Sequence, residues 1–548
     1  MPEIVLSTLN AKYQHAAFGL RYLLANLGPR RAAAALVEFD LNQRPLDIAE
    51  AVLARSPRLA AFGVYIWNVA PTTEVIATLK RLDPALTVVV GGPEVSYEVE
   101  QQPITQLADY VITGEADLEF ARLCEQVLSG QAPPRKVIAA ALPELERLAS
   151  PYELYTDEDI AHRVIYVEAS RGCPFTCEFC LSSLDIPVRQ FPLPALLTDL
   201  ERLLARGVRH FKFVDRTFNL NLAVSRALLE FFLERLRPGM FLHFEMIPDR
   251  LPEALRQIIA RFPAGVLQFE VGIQTFNPAV ARLISRRQDH AKIEENLRFL
   301  RCHTGVHLHA DLIAGLPGET VDSFAAGFDR LVALGPQEIQ VGILKRLRGT
   351  PIVRHDTEWG MIYSPSPPYE VLQTRLLDFP TLQRLRRFAR YWDLVANSGN
   401  FVTTCPRLWT APRPPASATT SPLRPGAADG TGAETNSEPT PGSPFGGFMR
   451  FADWLYGQVG RQHAIALHRL AEALFHFLTA EVGLPPATVA AGLVQDYERA
   501  GRGEIPPFLQ SFAGPRAARP HGGSSRPGLK RQRRHQHAPG LRPGSPAG

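Results

Sequence analysis

Sulfur is scarce in this chain: 548 residues hold six cysteines and five methionines. So few thiols exclude a disulfide-stapled scaffold. No signal peptide is expected at the amino terminus, which makes the reducing cytoplasm the expected location. Long apolar runs are missing too. None reaches the eighteen or so residues that a bilayer-spanning helix needs, so no membrane partner is expected. Acidic residues vanish from 514 onward, where eight Lys or Arg stand unopposed. Without that tail the formal charge of +4 becomes −4 (4 − 8), so the basic balance belongs to the tail and not to the folded body. Lys530-Arg-Gln-Arg-Arg534 is dense enough to meet a polyanion, but a solvated tail is the reading taken, with no nucleic-acid partner expected. The length allows two or three domains with cores of their own.

Three of the six cysteines fall within eight residues, in Cys173-Pro-Phe-Thr-Cys177-Glu-Phe-Cys180. Soft thiolates select iron–sulfur clusters, zinc or copper(I). A structural zinc wants four ligands, commonly two separated pairs, and the nearest other cysteines, Cys124 and Cys302, are distant and unpaired in pattern. Three thiolates can hold three irons of a 4Fe–4S cluster and leave the fourth open to another ligand. Before them, Val164–Ala169 is β-branched and aromatic, as in a buried strand, and Ser170-Arg-Gly172 turns the chain into the cysteines. The thiols therefore sit on a loop at a strand's carboxyl end, where barrel active sites are built.

From that strand onward, apolar runs and helix-period segments alternate. Strands are expected at Val164–Ala169, His210–Val214, Leu242–Ile247, Val266–Val271, Leu308–Ile313 and Ile339–Leu344. Six such units make a parallel sheet with covering helices, either an open barrel or a doubly wound sheet. Polar and glycine residues end several strands: Asp215 and Asn219, Glu245, then Glu270, Gly272 and Gln274, then Asp311 and Gly315 to Gly318. The CxxxCxxC string with an aromatic before its last cysteine resembles the radical S-adenosylmethionine (SAM) superfamily. The resemblance implies a partial (β/α)6 TIM-like barrel over 159–390. It implies Cys173, Cys177 and Cys180 as ligands of a 4Fe–4S cluster, and SAM on the open iron, cleaved reductively to a 5′-deoxyadenosyl radical. It also implies SAM contacts at Phe179, Glu270, Gly272, Gln274 and Gly315, and a reductant partner such as flavodoxin or ferredoxin.

Residues 1–135 carry a separate α/β pattern, with strands expected at Glu3–Leu6, Ala35–Phe39, Ala60–Tyr65, Thr87–Val90 and Tyr110–Ile112. Their number and spacing suit a flavodoxin-like, Rossmann-like sheet, which binds ligands beyond its strands' carboxyl ends. Those ends read Gly63-Val-Tyr65-Ile-Trp67, Gly91-Gly92-Pro-Glu94 and Gly114-Glu115-Ala-Asp117. This layout resembles the cobalamin-binding domain that precedes many radical SAM cores, which implies cobalamin contacts at Tyr65, Gly91, Gly92 and Glu94. His15 does not stand at the spacing of a cobalt-ligating histidine motif. Residues 136–158 read as a linker.

After the barrel, Lys345 to Arg348 leads into Gly349-Thr350-Pro351, a pattern similar to a cobalamin-type subgroup whose C-terminal domain has no assigned function. Val371–Val395 reads as helix, with Pro380 expected to end or kink it midway. A helical domain is expected over 391–513, broken by a disordered Pro/Ala/Ser/Thr-rich insertion at 411–447, and a disordered basic tail over 514–548. The expected function is a cobalamin-binding radical SAM enzyme that methylates an unactivated carbon of an unknown, small-molecule substrate. The alternatives are a radical rearrangement, a tRNA methylthiotransferase-like reaction, or a non-catalytic cobalamin or cluster sensor.

Overall fold

The computed structural model describes residues 1–185, 187–410, 442–502, 504–512 and 530–535. Two parallel six-stranded sheets organise them. The first contains β1 (Ile4–Asn10), β2 (Ala34–Asp40), β3 (Leu59–Gly63), β4 (Thr87–Gly91), β5 (Tyr110–Thr113) and β6 (Val137–Ala139) in the order β2-β1-β3-β4-β5-β6. β1 is buried along its whole length and β3 likewise, because helices cover both faces. The order reverses between β1 and β3, so a crevice opens at the carboxyl ends there. This is the flavodoxin-like arrangement that the strand pattern predicts. It has one strand more than expected: β6 lies inside the segment read as a linker. That segment is also pinned further on, where Tyr152 and Tyr155 are buried and donate to the backbone of Glu168 and Tyr166.

The second sheet holds β7 (Ile165–Val167), β10 (His210–Phe213), β11 (Phe241–Met246), β12 (Leu267–Gln274), β13 (His307–Ala314) and β14 (Glu338–Ile343). A two-residue pair, β8 (Ser170–Arg171) with β9 (Arg189–Gln190), stands apart from it. The six strands follow chain order without reversal, and β7 does not pair with β14. A doubly wound sheet would reverse. This is therefore an open six-unit barrel. Its covering helices start at side-chain caps, Asn221 on Leu222–Glu234, Asp289 on His290–His303 and Thr320 on Val321–Leu334.

The helices after the barrel pack onto it. Phe328, on a covering helix, meets Phe388 at 5.0 Å and Trp392 at 4.8 Å between ring centroids, and Phe445 and Phe448 complete the cluster. Three expectations change in this region. Pro380 does not kink a helix; it sits in the first turn of Phe379–Val395, where its missing N–H costs nothing. The preceding Val371–Gln373 is a short strand. The helix Pro444–Val459 begins inside the segment expected to be disordered, while 411–441 lies outside the described residues. Within the basic tail, Lys530–His535 is helical and docks at the amino ends of the barrel strands. There Gln532 Nε2 donates to Gln268 Oε1 at 2.7 Å, and Arg531 Nε pairs with Glu338 at 2.9 Å. Buried Glu338 needs a cation, and a tail rich in arginine supplies one. No helix among the described residues is long and apolar enough to cross a membrane.

Candidate active site and neighbouring cavities

The cysteine loop is shaped by its ends. β8 pairs with β9, which brings the two ends of the cysteine-bearing segment together at the barrel mouth. Gly172 has φ +91, and a Cβ there would lie 2.7 Å from the Asp185 carbonyl oxygen. Only glycine fits this crossing. Cys173 donates its backbone N–H to that same carbonyl at 3.0 Å. Cys173 and Cys177 are buried and Cys180 half-buried. All three line one cavity of about 160 Å³. Among the described residues no three His, Cys, Asp or Glu side chains converge on a single-ion position. A cubane would not need them to, since it spreads its thiolates over separate irons.

Phe179, Glu270, Gly272 and Gln274 line the same cavity. β12 bulges between Gly272 and Gln274, and Gln274 holds φ +72, a left-handed conformation uncommon for a non-glycine residue. Such strain gathers at functional sites. Glu270 accepts from His243 Nε2 at 2.9 Å and stands 3.8 Å from Lys212. Burial pushes its carboxyl up, but His243 and Lys212 together hold it well below the usual carboxylate range. Asp311 also lines the cavity, and there burial wins and raises it. Gly315 does not line the cavity. A Cβ there would meet Val371 Cγ1 at 2.5 Å, so this glycine lets the chain turn beneath a neighbouring segment. Asp215 is also structural: it accepts the Ala169 N–H at 3.0 Å and the Ser170 hydroxyl at 2.5 Å, stapling the chain just before the cysteines.

A second, mainly apolar cavity of about 210 Å³ opens at the carboxyl ends of β3 and β4. Tyr65, Gly91 and Gly92 line it, with Leu20, Gly63 and Phe120. Tyr65 stacks on Trp67 at 4.5 Å with the planes 4° apart. This volume is below that of a drug-sized pocket, so it suits one flat arm of a large cofactor, not its whole body. Gly92 has a reason of its own in the fold. With φ +112, a Cβ would lie 2.5 Å from the Val64 carbonyl oxygen. Gly92→Ala is therefore expected to destabilise the chain by about 1–3 kcal/mol, read by chemical denaturation. Gly91→Ala should cost less, because its Cβ would stand 3.3 Å from the Ile112 carbonyl. Glu94 lies outside this cavity. Its carboxylate accepts from Tyr369 at 2.7 Å and Arg348 Nε at 3.0 Å, latching the first sheet to the segment after the barrel. His15 bonds Tyr166 at 2.6 Å and does not line the cavity.

The two cavities meet through one tripeptide, because Arg171 walls the apolar one and Cys173 the thiol-lined one. Arg171 is the centre of a buried network, with Glu115 at 2.8 Å, Asp117 at 2.9 Å and Glu168 at 3.0 Å, and it stacks over Tyr22. Glu115 and Asp117 belong to the Gly114–Asp117 segment, which the sequence flagged without a role. Burial pushes Glu168 up to about 7 against the pull of Arg171, from an ordinary 4.5. Folding thus favours its protonated form. The stability this group contributes is present below pH 4.5 and is lost as pH rises to about 7. Glu168→Gln should flatten that part of the curve of Tm against pH.

A second node lies inside the cysteine string. The buried Glu178 carboxylate accepts from His355 Nε2 at 2.8 Å and the Ser285 hydroxyl at 2.6 Å, and pairs with Arg354. The strap 345–355 thus reaches both domains: Arg346 and Arg348 hold Glu98, a Cβ on Gly349 would clash with the Tyr97 ring, and His355 holds the cysteine loop. Sequence reading missed Glu178, and also Arg286, which lines the thiol cavity and donates to Cys177 Sγ at 3.3 Å, because their partners are far away in the chain. The place of Glu178 within the cysteine string was the one available signal.

Comparison with known proteins follows the same division. The sequence model described as the radical SAM superfamily matches residues 167–331, and that of the B12 binding domain matches 4–124. A protein family of unknown function, DUF4080, matches 357–415. The ribosomal protein uS12 methylthiotransferase RimO of Pelobacter propionicus is 30% identical over 182 residues, 30% of this chain and 40% of that protein. The cobalamin-dependent radical SAM methyltransferase TokK of Streptomyces tokunonensis is 25% identical over 328 residues, 53% of this chain and 47% of TokK. The chain thus spans less than half the length of either relative. Among solved structures, the methyltransferase TsrM of Kitasatospora setae, with tryptophan and a SAM analogue bound, superposes with a TM-score of 0.54 at 19% identity, covering 68% of this chain and 80% of TsrM.

Proposed function

We propose that this chain, a radical SAM protein carrying an amino-terminal B12-binding domain, is a cobalamin-dependent methyltransferase acting on an unactivated carbon of a small molecule. The observation that carries this reading is that one tripeptide borders both cavities: Arg171 lines the apolar one and Cys173, two residues on, lines the thiol-bearing one. A cofactor arm at Gly91 and Tyr65 and a cluster on the three thiols would then lie on either side of residues 171–173.

The residues present fit the groups this reading needs. Cys173, Cys177 and Cys180 offer three thiolates around one cavity, and Gly91 and Tyr65 wall a mainly apolar slot whose charged lining residues, Arg171 and Asp117, pair with each other. When bound, the cluster, SAM and cobalamin supply radical hydrogen abstraction and methyl transfer, which no side chain can perform. The protein's own part is placement. Glu270, ionised and fixed by His243, can accept from hydroxyl or ammonium groups of SAM at the cavity floor. Phe179 offers a flat apolar contact beside the thiols. Glu178 and Arg171 hold the loop's geometry from outside. The chain would work in a reducing, cytoplasmic setting and draw electrons from a small redox protein.

The deciding experiment is anaerobic reconstitution with iron, sulfide, cobalamin, reductant and SAM, followed by assay of 5′-deoxyadenosine and S-adenosylhomocysteine. Both products support methyl transfer. 5′-Deoxyadenosine alone points to a rearrangement, and neither product, from protein that has taken up its cofactors, overturns the enzyme reading.

A further inference from the structure

We propose that Arg286 is an electrostatic positioning residue that raises the reduction potential of a cluster held on the three thiols. This rests on the cluster reading above and goes beyond it.

The guanidinium is fixed at both arms. Nη1 donates to Cys177 Sγ at 3.3 Å, and Nη2 donates to the Gly272 carbonyl on the bulged end of β12. Gln288 Nε2 shares that carbonyl at 2.9 Å. The backbone of Arg286 is tied to Ala281 at 2.8 Å, and its neighbour Ser285 holds Glu178 in the cysteine string. Gly272 makes room for this arrangement. A Cβ there would stand 2.6 Å from Gln274 Nε2 and 3.3 Å from Arg286 Nη2. The glycine expected to admit a ligand also admits the arginine.

Arg286 has no carboxylate within ion-pair distance among the described residues, and its Nε is buried without a partner. A half-buried cation left this way needs a counter-charge from whatever fills the cavity. A cube held by three thiolates carries net negative charge, and one-electron reduction makes it more negative still. A cation donating to one of those thiolates stabilises the reduced form more than the oxidised form. Hydrogen bonds to cluster sulfur and local charge are recognised controls of such potentials.

The test uses full-length wild type, Arg286→Gln and Arg286→Lys, each loaded anaerobically with iron and sulfide and titrated without SAM or cobalamin. The reduced-cluster EPR signal is followed against applied potential. At the potential that half-reduces the wild-type cluster, the reduced-to-oxidised ratio in Arg286→Gln should fall about tenfold, a shift of about 59 mV for one electron. Arg286→Lys keeps the charge and should recover at least half of that shift. Equal ratios at matched iron content overturn the proposal, and a loss of SAM affinity in a separate binding measurement would then make Arg286 a SAM partner only. If Arg286→Gln loads poorly, Arg286→Met takes its place as the neutral variant: its ratio should fall by the same factor, and a ratio equal to wild type overturns the proposal. Failure of the wild type to take up any cluster would instead refute the cluster reading itself.

Discussion

Cys177→Ala is expected to abolish reductive SAM cleavage and to strip most iron from the reconstituted protein. Three thiolates are the fewest that can hold a cubane with one open iron, and this substitution leaves two. It also takes away the sulfur that Arg286 contacts, so a half-buried cation loses one of its anchors. Removing an outer-shell partner typically costs about 10–100-fold in metal affinity or activity, and a direct ligand should cost more than that range. Iron and sulfide content, visible absorbance and 5′-deoxyadenosine formation measure it. Cys124→Ala is the control. Cys124 is packed in the first domain's core, where burial raises its thiol to about 12, so iron content should not change. A Cys177→Ala protein that keeps its iron and cleaves SAM within tenfold of wild type would sink the assignment.

Arg171→Ala should destabilise the chain by about 3–5 kcal/mol, the cost of leaving buried charges without their partner. Glu115, Asp117 and Glu168 all converge on this guanidinium, and Tyr22 and Phe191 flank it at 4.6 and 5.6 Å. Of the three, Glu115 alone keeps a second arginine, Arg189, so Asp117 and Glu168 lose the only cation that pairs with them among the described residues. The charge explanation has its own signature. Adding Asp117→Asn and Glu168→Gln to Arg171→Ala should restore a large part of the loss, whereas a mere packing void would not be restored. Urea denaturation of the cofactor-free chain reads both. Because Arg171 immediately precedes Gly172 and the cysteines, the single variant should also load less iron.

Much of the fold was legible because it is written in local pattern. The buried apolar runs of β1, β3 and β4 and the βα alternation after Val164 need only their own residues to declare themselves. Boundaries shifted by a few residues, and β6 was missed because Val137–Ala139 is only three residues long, at a sheet edge and partly exposed, just after Pro133 and Pro134. Pro380 misled for a related reason. The same ring that breaks a helix interior starts a helix at its first turn, and only the surrounding packing of Phe388 and Trp392 fixes which applies. The helix at 530–535 was hidden by composition: arginine-rich sequence reads as solvated until a buried acid such as Glu338 is found opposite it.

The sequence by itself determined the spacing of the three thiols, the six strand–helix units after Val164 and the separate α/β unit before them. Each follows from residues adjacent in the chain, through side-chain chemistry or period. The strand order that makes those six units an open barrel came from the tertiary structure. It also decided what those pieces do to one another. Glu94 joins the 348–369 segment across some 250 residues, Glu178 joins His355, Arg286 reaches Cys177, and Arg171 collects acids from both domains. These are pairings of buried charge, and a charge's partner is set by proximity in space, which no local pattern encodes.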